Sequence, residues 1–218
     1  MLASLRFLSV VAISLVLGGS FPGYSQTAPA RNDDGGSNRQ VCGPDRIYRG
    51  EYRNLGRDYE VELPDGVAAT APTTPCVPSG FDISLTHPTT GEFGAEYASS
   101  RLWVRGDMQT REPLQYIIDH WPEAARQDAE EVGATDLKID LPEEASLSSL
   151  PALHLKITRT ETISGKLIYE WIIANNPHKG IVYSVGMASP ADQYERNQEL
   201  FKAVVEGFRY IPAENDNP

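Results

Sequence analysis

Alternating apolar and polar residues are the strongest signal in the chain, and they predict β-strands. In several short stretches every second residue is apolar, which suits a strand with one covered and one wetter face. The apolar positions are Tyr59, Val61 and Leu63; Phe81, Ile83 and Leu85; Leu102 and Val104; Leu137, Ile139 and Leu141; and Leu153, Leu155 and Ile157. Since such strands commonly pair in antiparallel fashion, the pattern predicts an antiparallel sheet.

Residues 166–187 predict a β-hairpin within that sheet. Two further stretches of alternation flank a turn-rich segment that includes Pro177 and Gly180. Their alternating apolar residues are Leu167, Tyr169, Trp171 and Ile173 before the turn, and Ile181, Tyr183, Val185 and Met187 after it. Because the opposite faces also carry apolar residues, both strands are expected to be central.

Two segments follow the helical period instead. The first begins at Pro113; Pro122 is expected to kink or divide it, and Gly133 to end it. The second begins at Ser189 and Pro190. Their apolar stripes are Leu114, Ile117, Ile118, Trp121 and Ala125 in the first, and Tyr194, Phe201, Val204, Val205 and Phe208 in the second. The predicted fold class is therefore α+β, an antiparallel β-sheet covered by two main helices.

The N-terminus predicts export. An apolar run at residues 7–17 follows the single charge of Arg6, and it is shorter than the roughly 20 residues of a membrane span. We therefore expect a signal peptide over residues 1–25, with a retained N-terminal anchor as the alternative. A flexible leader over 26–41 follows. The remaining divisions are a single α+β domain over 42–211 and a disordered tail over 212–218.

Export gives the two cysteines a meaning. In an oxidising compartment Cys42 and Cys76 are expected to form a disulfide bond. A redox pair is the alternative, but the spacing lacks the C-x-x-C pattern of reactive dithiols. The periplasm is the expected location, and full secretion stays open.

The acidic charge excludes some partners. The formal net charge is −11, and removal of residues 1–25 leaves 18 cations and 30 anions, or −12. A chain with this charge has no surplus of cations to neutralise the phosphates of a nucleic acid. Anionic membrane surfaces are disfavoured for the same reason, and no second segment is apolar enough to span a bilayer.

The C-terminal part carries a resemblance to a known family. From Ile139 the predicted order is strand, a Leu150-Pro151-Ala152 segment, two strands, a turn, a strand and a final helix that ends at Phe208-Arg209. This order resembles the PsbP-like superfamily, most clearly over residues 113–211. The resemblance implies an α/β/α sandwich in an exported protein. It also implies a binding or assembly role without a shared catalytic centre.

Catalytic motifs are missing from the sequence. It contains no nucleophile elbow, no H-E-x-x-H pair and no phosphate-binding glycine loop, so we assign no catalytic residue, metal or cofactor. One polar pair remains of interest, because His154 and Glu170 are expected on neighbouring strands and could exchange protons. Calcium binding by the acidic residues Asp140, Glu143 and Glu144 is an alternative without a recognised loop spacing.

The best candidate for a contact residue is Trp103. It opposes the apolar face of its strand and stands between Arg101 and Arg105, a composition typical of protein interfaces. The sequence thus favours an exported, non-enzymatic binding or accessory module whose partner is another envelope or secreted protein. The first alternative is a periplasmic small-ligand-binding protein or hydrolase that uses the open sheet face near His154 and Glu170. The second is an inhibitor protein whose loops block an enzyme.

Overall fold

A computed structural model describes residues 45–72, 79–91, 94–108, 114–162 and 164–212 of the protein. The strands are β1 (Asp45–Tyr48), β2 (Glu51–Asn54), β3 (Tyr59–Glu62), β4 (Ala69–Pro72), β5 (Gly80–Gly91), β6 (Gly94–Met108), β7 (Thr135–Ile139), β8 (Glu143–Leu147), β9 (Leu150–Glu161), β10 (Gly165–Asn176), β11 (Ile181–Pro190) and β12 (Phe208–Tyr210). The helices are α1 (Leu114–Glu131) and α2 (Tyr194–Gly207). Within these ranges, neither helix has the length and apolar character needed to cross a membrane.

One large antiparallel sheet organises the molecule. Its order is β1-β4-β5-β6-β11-β10-β9-β7, and β8 pairs with the other end of β9. The predicted hairpin is present as β10 and β11, which pair from Leu167↔Pro190 to Asn176↔Ile181. These strands lie in the interior of the sheet, and all of β11 is buried. The prediction of a central hairpin is confirmed.

Helix α1 lies on one face of the large sheet, over β7 and β9. Its buried Trp121 packs edge-on against Trp171 of β10, with ring centroids 5.2 Å apart. The helix passes through Pro122 as one element. It ends just before Gly133, whose φ of +64° is typical of the residue that follows a helix.

The opposite face is shared by α2 and a small sheet with the order β12-β3-β2. Aromatic rings join the layers: Tyr59 of β3 stacks on Phe208 of β12 at 5.3 Å, and Tyr183 of β11 packs edge-on against both. Helix α2 approaches β3 so closely that a Cβ on Gly207 would lie 2.2 Å from the carbonyl oxygen of Glu62. A glycine is therefore required at this crossing.

The predicted fold class, an α+β sheet covered by two main helices, is wrong. The described part of the chain is mostly antiparallel β-structure built on one large sheet. Helix α1 contacts mainly β7 and β9, at one end of the sheet, and α2 shares its face with the small sheet. The α/β/α arrangement implied by the family resemblance therefore does not describe the layers. The strands are also longer than predicted, because β5 and β6 pair from Gly80↔Arg105 out to Gly91↔Gly94.

Candidate functional site

A row of three side chains on β6 forms the first candidate site. Alternation along the strand places Arg101, Trp103 and Arg105 on one face. The neighbouring strand β5 places Asp82 directly opposite Trp103, on the same face. We call these four residues the β5–β6 strip.

Asp82 holds both arginines of the strip. Its Oδ1 accepts hydrogen bonds from Nε of Arg101 at 3.0 Å and from Nη2 of Arg105 at 2.8 Å. Arg105 also donates from Nη1 to the carbonyl oxygens of Phe81 and Val104. The three side chains are between 23% and 28% exposed, so they are fixed by contacts yet reach solvent. Two cations around one anion make the strip locally positive.

Trp103 is held rigidly rather than projecting freely. Its indole lies on the backbone of Gly186 in β11, where an added Cβ would be 2.3 Å from Cε2 of the ring. It also packs edge-on against Trp171 with centroids 6.2 Å apart, and the residue is only partly exposed. The sequence placed Trp103 on the correct face but did not anticipate this support.

The second candidate site forms around His154 and Glu170, which the structure brings together. His154 lies on β9 and Glu170 on β10, and Nε2 of the imidazole is 2.7 Å from Oε1 of the carboxylate. Tyr194, in the first turn of α2, donates its hydroxyl proton to Oε2 of Glu170 at 2.6 Å. Glu170 is 3% exposed, so both of its oxygens are engaged inside the protein. We call these three residues the Glu170 node.

The surroundings of the node set its protonation. The hydrogen bond to Glu170 raises the pKa of His154 above its usual 6.5, against the opposing effect of burial. Burial alone would raise the pKa of Glu170, but the hydrogen bonds from His154 and Tyr194 lower it below 4.5. On the outer side of the imidazole, Nδ1 of His154 is 3.7 Å from Oε2 of the exposed Glu143, and Lys156 lies over the ring of Tyr194 at 4.4 Å.

A third polar cluster was missed by the sequence analysis. Arg159 of β9 is 4% exposed and donates to Asp128 of α1, to Glu161 and to the hydroxyl oxygen of Tyr169. A signal for it existed, because Arg159 continues the buried face of Leu155 and Ile157 at the same two-residue spacing. A charged residue in that position requires buried partners. The cluster joins α1 to the sheet and is structural in geometry.

Other predicted sites have different outcomes. Cys42 and Cys76 lie outside the described residues, so the predicted disulfide stays a prediction. Asp140 and Glu143 lie around β8 with Glu144, and no group of three or more possible metal ligands is found in the described ranges. Asp82 and Tyr194, which complete the two candidate sites, were not singled out from the sequence.

Comparisons with known proteins give likeness in structure alone. No family model and no curated protein matches the chain. Similar solved structures include the Ran-binding protein Mog1p from Saccharomyces cerevisiae, 12% identical over 76% of this chain and 97% of that chain, with a TM-score of 0.45. A protein of unknown function from Pseudomonas aeruginosa is 14% identical over 76% of this chain and 97% of that one, with a TM-score of 0.43.

A third similar structure is PsbP (CyanoP) from Synechocystis sp. PCC 6803. It is 11% identical over 81% of this chain and 98% of that chain, with a TM-score of 0.39. The resemblance to the PsbP-like superfamily is therefore confirmed as a structural likeness only, and scores of this size carry no argument about function.

Proposed function

We propose that the protein is an exported, non-enzymatic binding or accessory module that contacts another envelope or secreted protein. The observation that carries this proposal is the β5–β6 strip, in which Asp82 and Gly186 hold Arg101, Trp103 and Arg105 in place on a rigid sheet. Arginine and tryptophan are the residues most enriched among those that dominate binding energy in protein interfaces.

The fixed geometry of the strip favours binding. Ordering a long side chain at an interface costs roughly 0.5–1.5 kcal/mol, which subtracts from affinity. In the strip that ordering has already taken place in the free protein, because both guanidinium groups are bound to Asp82 and the indole rests on the sheet. A partner that meets these side chains therefore loses little of its binding energy to their immobilisation.

Export and the domain boundaries belong to the same proposal. Residues 1–25 are removed, the Cys42–Cys76 bond forms after export, and residues 42–211 fold as one domain. Intact mass of the exported protein, with and without reduction before alkylation, tests the first two points. A mass that retains Met1, or alkylation of both cysteines without reduction, contradicts them.

Partner capture tests the binding role. The wild-type protein, cross-linked in its native compartment, is expected to retain a partner that the Arg101→Gln/Arg105→Gln variant loses. The double variant Arg126→Gln/Arg196→Gln removes two cations elsewhere, on α1 and α2, and is the matched control. Retention of the same partner by all three proteins would contradict an interface at the strip, and recovery of none by wild type would contradict the binding role.

A second candidate function is supported by the Glu170 node. The 2.7 Å bond from His154 to Glu170 orients the imidazole and leaves Nδ1 on the side of the exposed Glu143. An imidazole held in this way can act as a general base in a small-ligand protein or hydrolase. A trapped small molecule in the purified protein, lost in His154→Gln, would favour this alternative. Unchanged ligand content in the variant would count against it.

A further inference from the structure

The β5–β6 strip has a charge opposite to that of the protein as a whole. The chain carries a formal charge of −11, yet the strip places two guanidinium groups around the single carboxylate of Asp82. We infer that the strip binds an acidic segment of a partner protein, with a carboxylate on the paired arginines and a neighbouring apolar side chain against Trp103. This inference rests on the proposed function and names the chemistry of its partner.

The arginines keep donors for such a carboxylate. A guanidinium carries five N–H groups, and Arg101 uses its Nε and Nη2 on Oδ1 of Asp82. Within the part of the chain that the structure describes, Nη1 of Arg101 has no hydrogen-bond acceptor. Because Arg105 converges on the same Oδ1, an incoming carboxylate beside Asp82 can meet both cations.

Trp103 decides what accompanies the carboxylate. The indole lies between the two arginines along β6, next to small residues of β11, which are Ser184, Gly186 and Ala188 at the opposing positions. Its supported ring offers a flat apolar surface beside the positive charge. A segment that alternates acidic and apolar residues in an extended conformation presents both groups on the required scale, since alternate side chains of a strand are about 7 Å apart.

Asp82 has a second role in this arrangement, because it competes with the ligand. It positions the guanidinium groups, but its charge also repels an incoming carboxylate. Replacement of Asp82 by asparagine keeps the shape and an acceptor oxygen while it removes the negative charge. We therefore expect Asp82→Asn to bind an acidic segment about fivefold more tightly than wild type. A purely structural role of Asp82 predicts the opposite change.

Fluorescence anisotropy with a short fluorescein-labelled peptide of alternating glutamate and leucine tests this inference. Wild type is expected to bind the peptide, with weaker binding at higher salt because exposed charges are screened over about 8 Å at physiological ionic strength. Arg101→Gln/Arg105→Gln is expected to lose binding, and Arg126→Gln/Arg196→Gln to keep it. The same peptide with glutamine in place of glutamate measures the contribution of charge.

The outcomes separate the two proposals. Equal affinity for the glutamate and glutamine peptides, or affinity of wild type that does not change with salt, overturns the acidic partner without requiring any variant to fold. Weaker binding by an Asp82→Asn protein with wild-type circular dichroism and thermal midpoint also overturns it. Retention of a native partner by wild type but not by the double arginine variant would leave the binding role in place even then.

Discussion

At the scale of single residues, Glu170 shows how a buried charge joins separate parts of the fold. Its two oxygens hold His154 on β9 and Tyr194 on α2, so strand, strand and helix meet at one carboxylate. A buried charge of this kind is tolerated because it is hydrogen bonded on both sides. The Glu170 node therefore makes the stability of the protein depend on pH.

The sign of that dependence follows from the two pKa shifts. The pKa of His154 is raised above 6.5, so the charged imidazole stabilises the fold fully below about pH 6.5, and this contribution is lost as the pH rises through the raised pKa. The pKa of Glu170 is lowered below 4.5, so the carboxylate contributes above that pH and is lost as the pH falls through the lowered pKa. Both contributions are present between the two usual values.

We predict that His154→Gln reduces the free energy of unfolding more at about pH 6 than at about pH 9, with a difference of about 1 kcal/mol. Urea denaturation of wild type and variant at both pH values measures it. His178→Gln, at an exposed turn after β10, is the control for loss of an imidazole. An effect of His154→Gln that is equal at the two pH values would contradict a charged pair with Glu170.

A second prediction at this scale concerns Gly186. A Cβ at this position would lie 2.3 Å from Cε2 of Trp103, so Gly186→Ala must displace the indole. We expect a loss of about 1–3 kcal/mol of stability, the usual cost of overpacking. Trp103→Leu in the same chain removes the obstructed ring, so the two losses should not add. Additive losses in this double-mutant cycle would mean that the ring does not rest on Gly186.

At the scale of elements, one arginine connects α1 to the sheet. Arg159 is buried on β9 and bonds Asp128 of α1, while Glu161 and Tyr169 hold its other edge. The two tryptophans beneath the helix supply apolar contact, and the arginine supplies the polar contact that fixes its position. Loss of one partner of a buried charge is costly, because the charge keeps its desolvation penalty.

Asp128→Asn should therefore destabilise the protein by about 2 kcal/mol. Asp119→Asn, on an exposed part of the same helix, is the control and should change stability by less than about 0.5 kcal/mol. Thermal denaturation followed by circular dichroism measures both. Equal effects of the two substitutions would show that the bond from Arg159 to Asp128 does not hold the helix.

The strands show where pattern reasoning succeeds and where it fails. Local alternation identified the central hairpin, because its apolar residues are close in sequence. It ended β5 before Pro88, but the strand continues to Gly91. Strand β4 pairs with β5 only at Thr70↔Asp82, so at Pro88 one side of β5 has no paired strand among the described residues. A proline, which lacks an N–H group, is tolerated there.

The candidate sites divide in the same way. His154 and Glu170 were expected on neighbouring strands, since two adjacent alternations bring their polar positions to one face. Asp82 could not be assigned to the arginines, because the register of β5 on β6 depends on long-range pairing that local periodicity does not reveal. Tyr194 was identified only as an apolar helix residue, since its hydrogen bond depends on how α2 crosses the sheet.

At the scale of the whole molecule, the last described strand returns to the beginning of the fold. Strand β12 pairs with β3, and the N–H of Ile211 donates to the carbonyl oxygen of Asp58. The segment that precedes β12 is thus tied to residues about 150 positions earlier in the chain, which makes the two ends of the domain depend on each other. The proposed boundary at residue 211 follows this contact.

We predict that a protein of residues 42–211 unfolds with the same thermal midpoint as the mature chain, because all twelve strands lie within it. A shorter protein that ends at residue 207 lacks β12 and should lose at least several degrees, as the stack of Phe208 on Tyr59 is removed. Differential scanning calorimetry measures both. A lower midpoint for residues 42–211 would place part of the fold outside these boundaries.

The tryptophans give the molecule a built-in optical reporter. The chain has three of them, and Trp171 contacts both Trp121 and Trp103 in edge-on geometry. Emission from all three therefore arises from one side of the large sheet, where excitation energy can pass between neighbouring rings. Trp121 and Trp171 are buried, so a dissolved quencher reaches mainly Trp103. Intrinsic fluorescence will register events at α1 and at the β5–β6 strip, whereas movement of α2 will leave it almost unchanged.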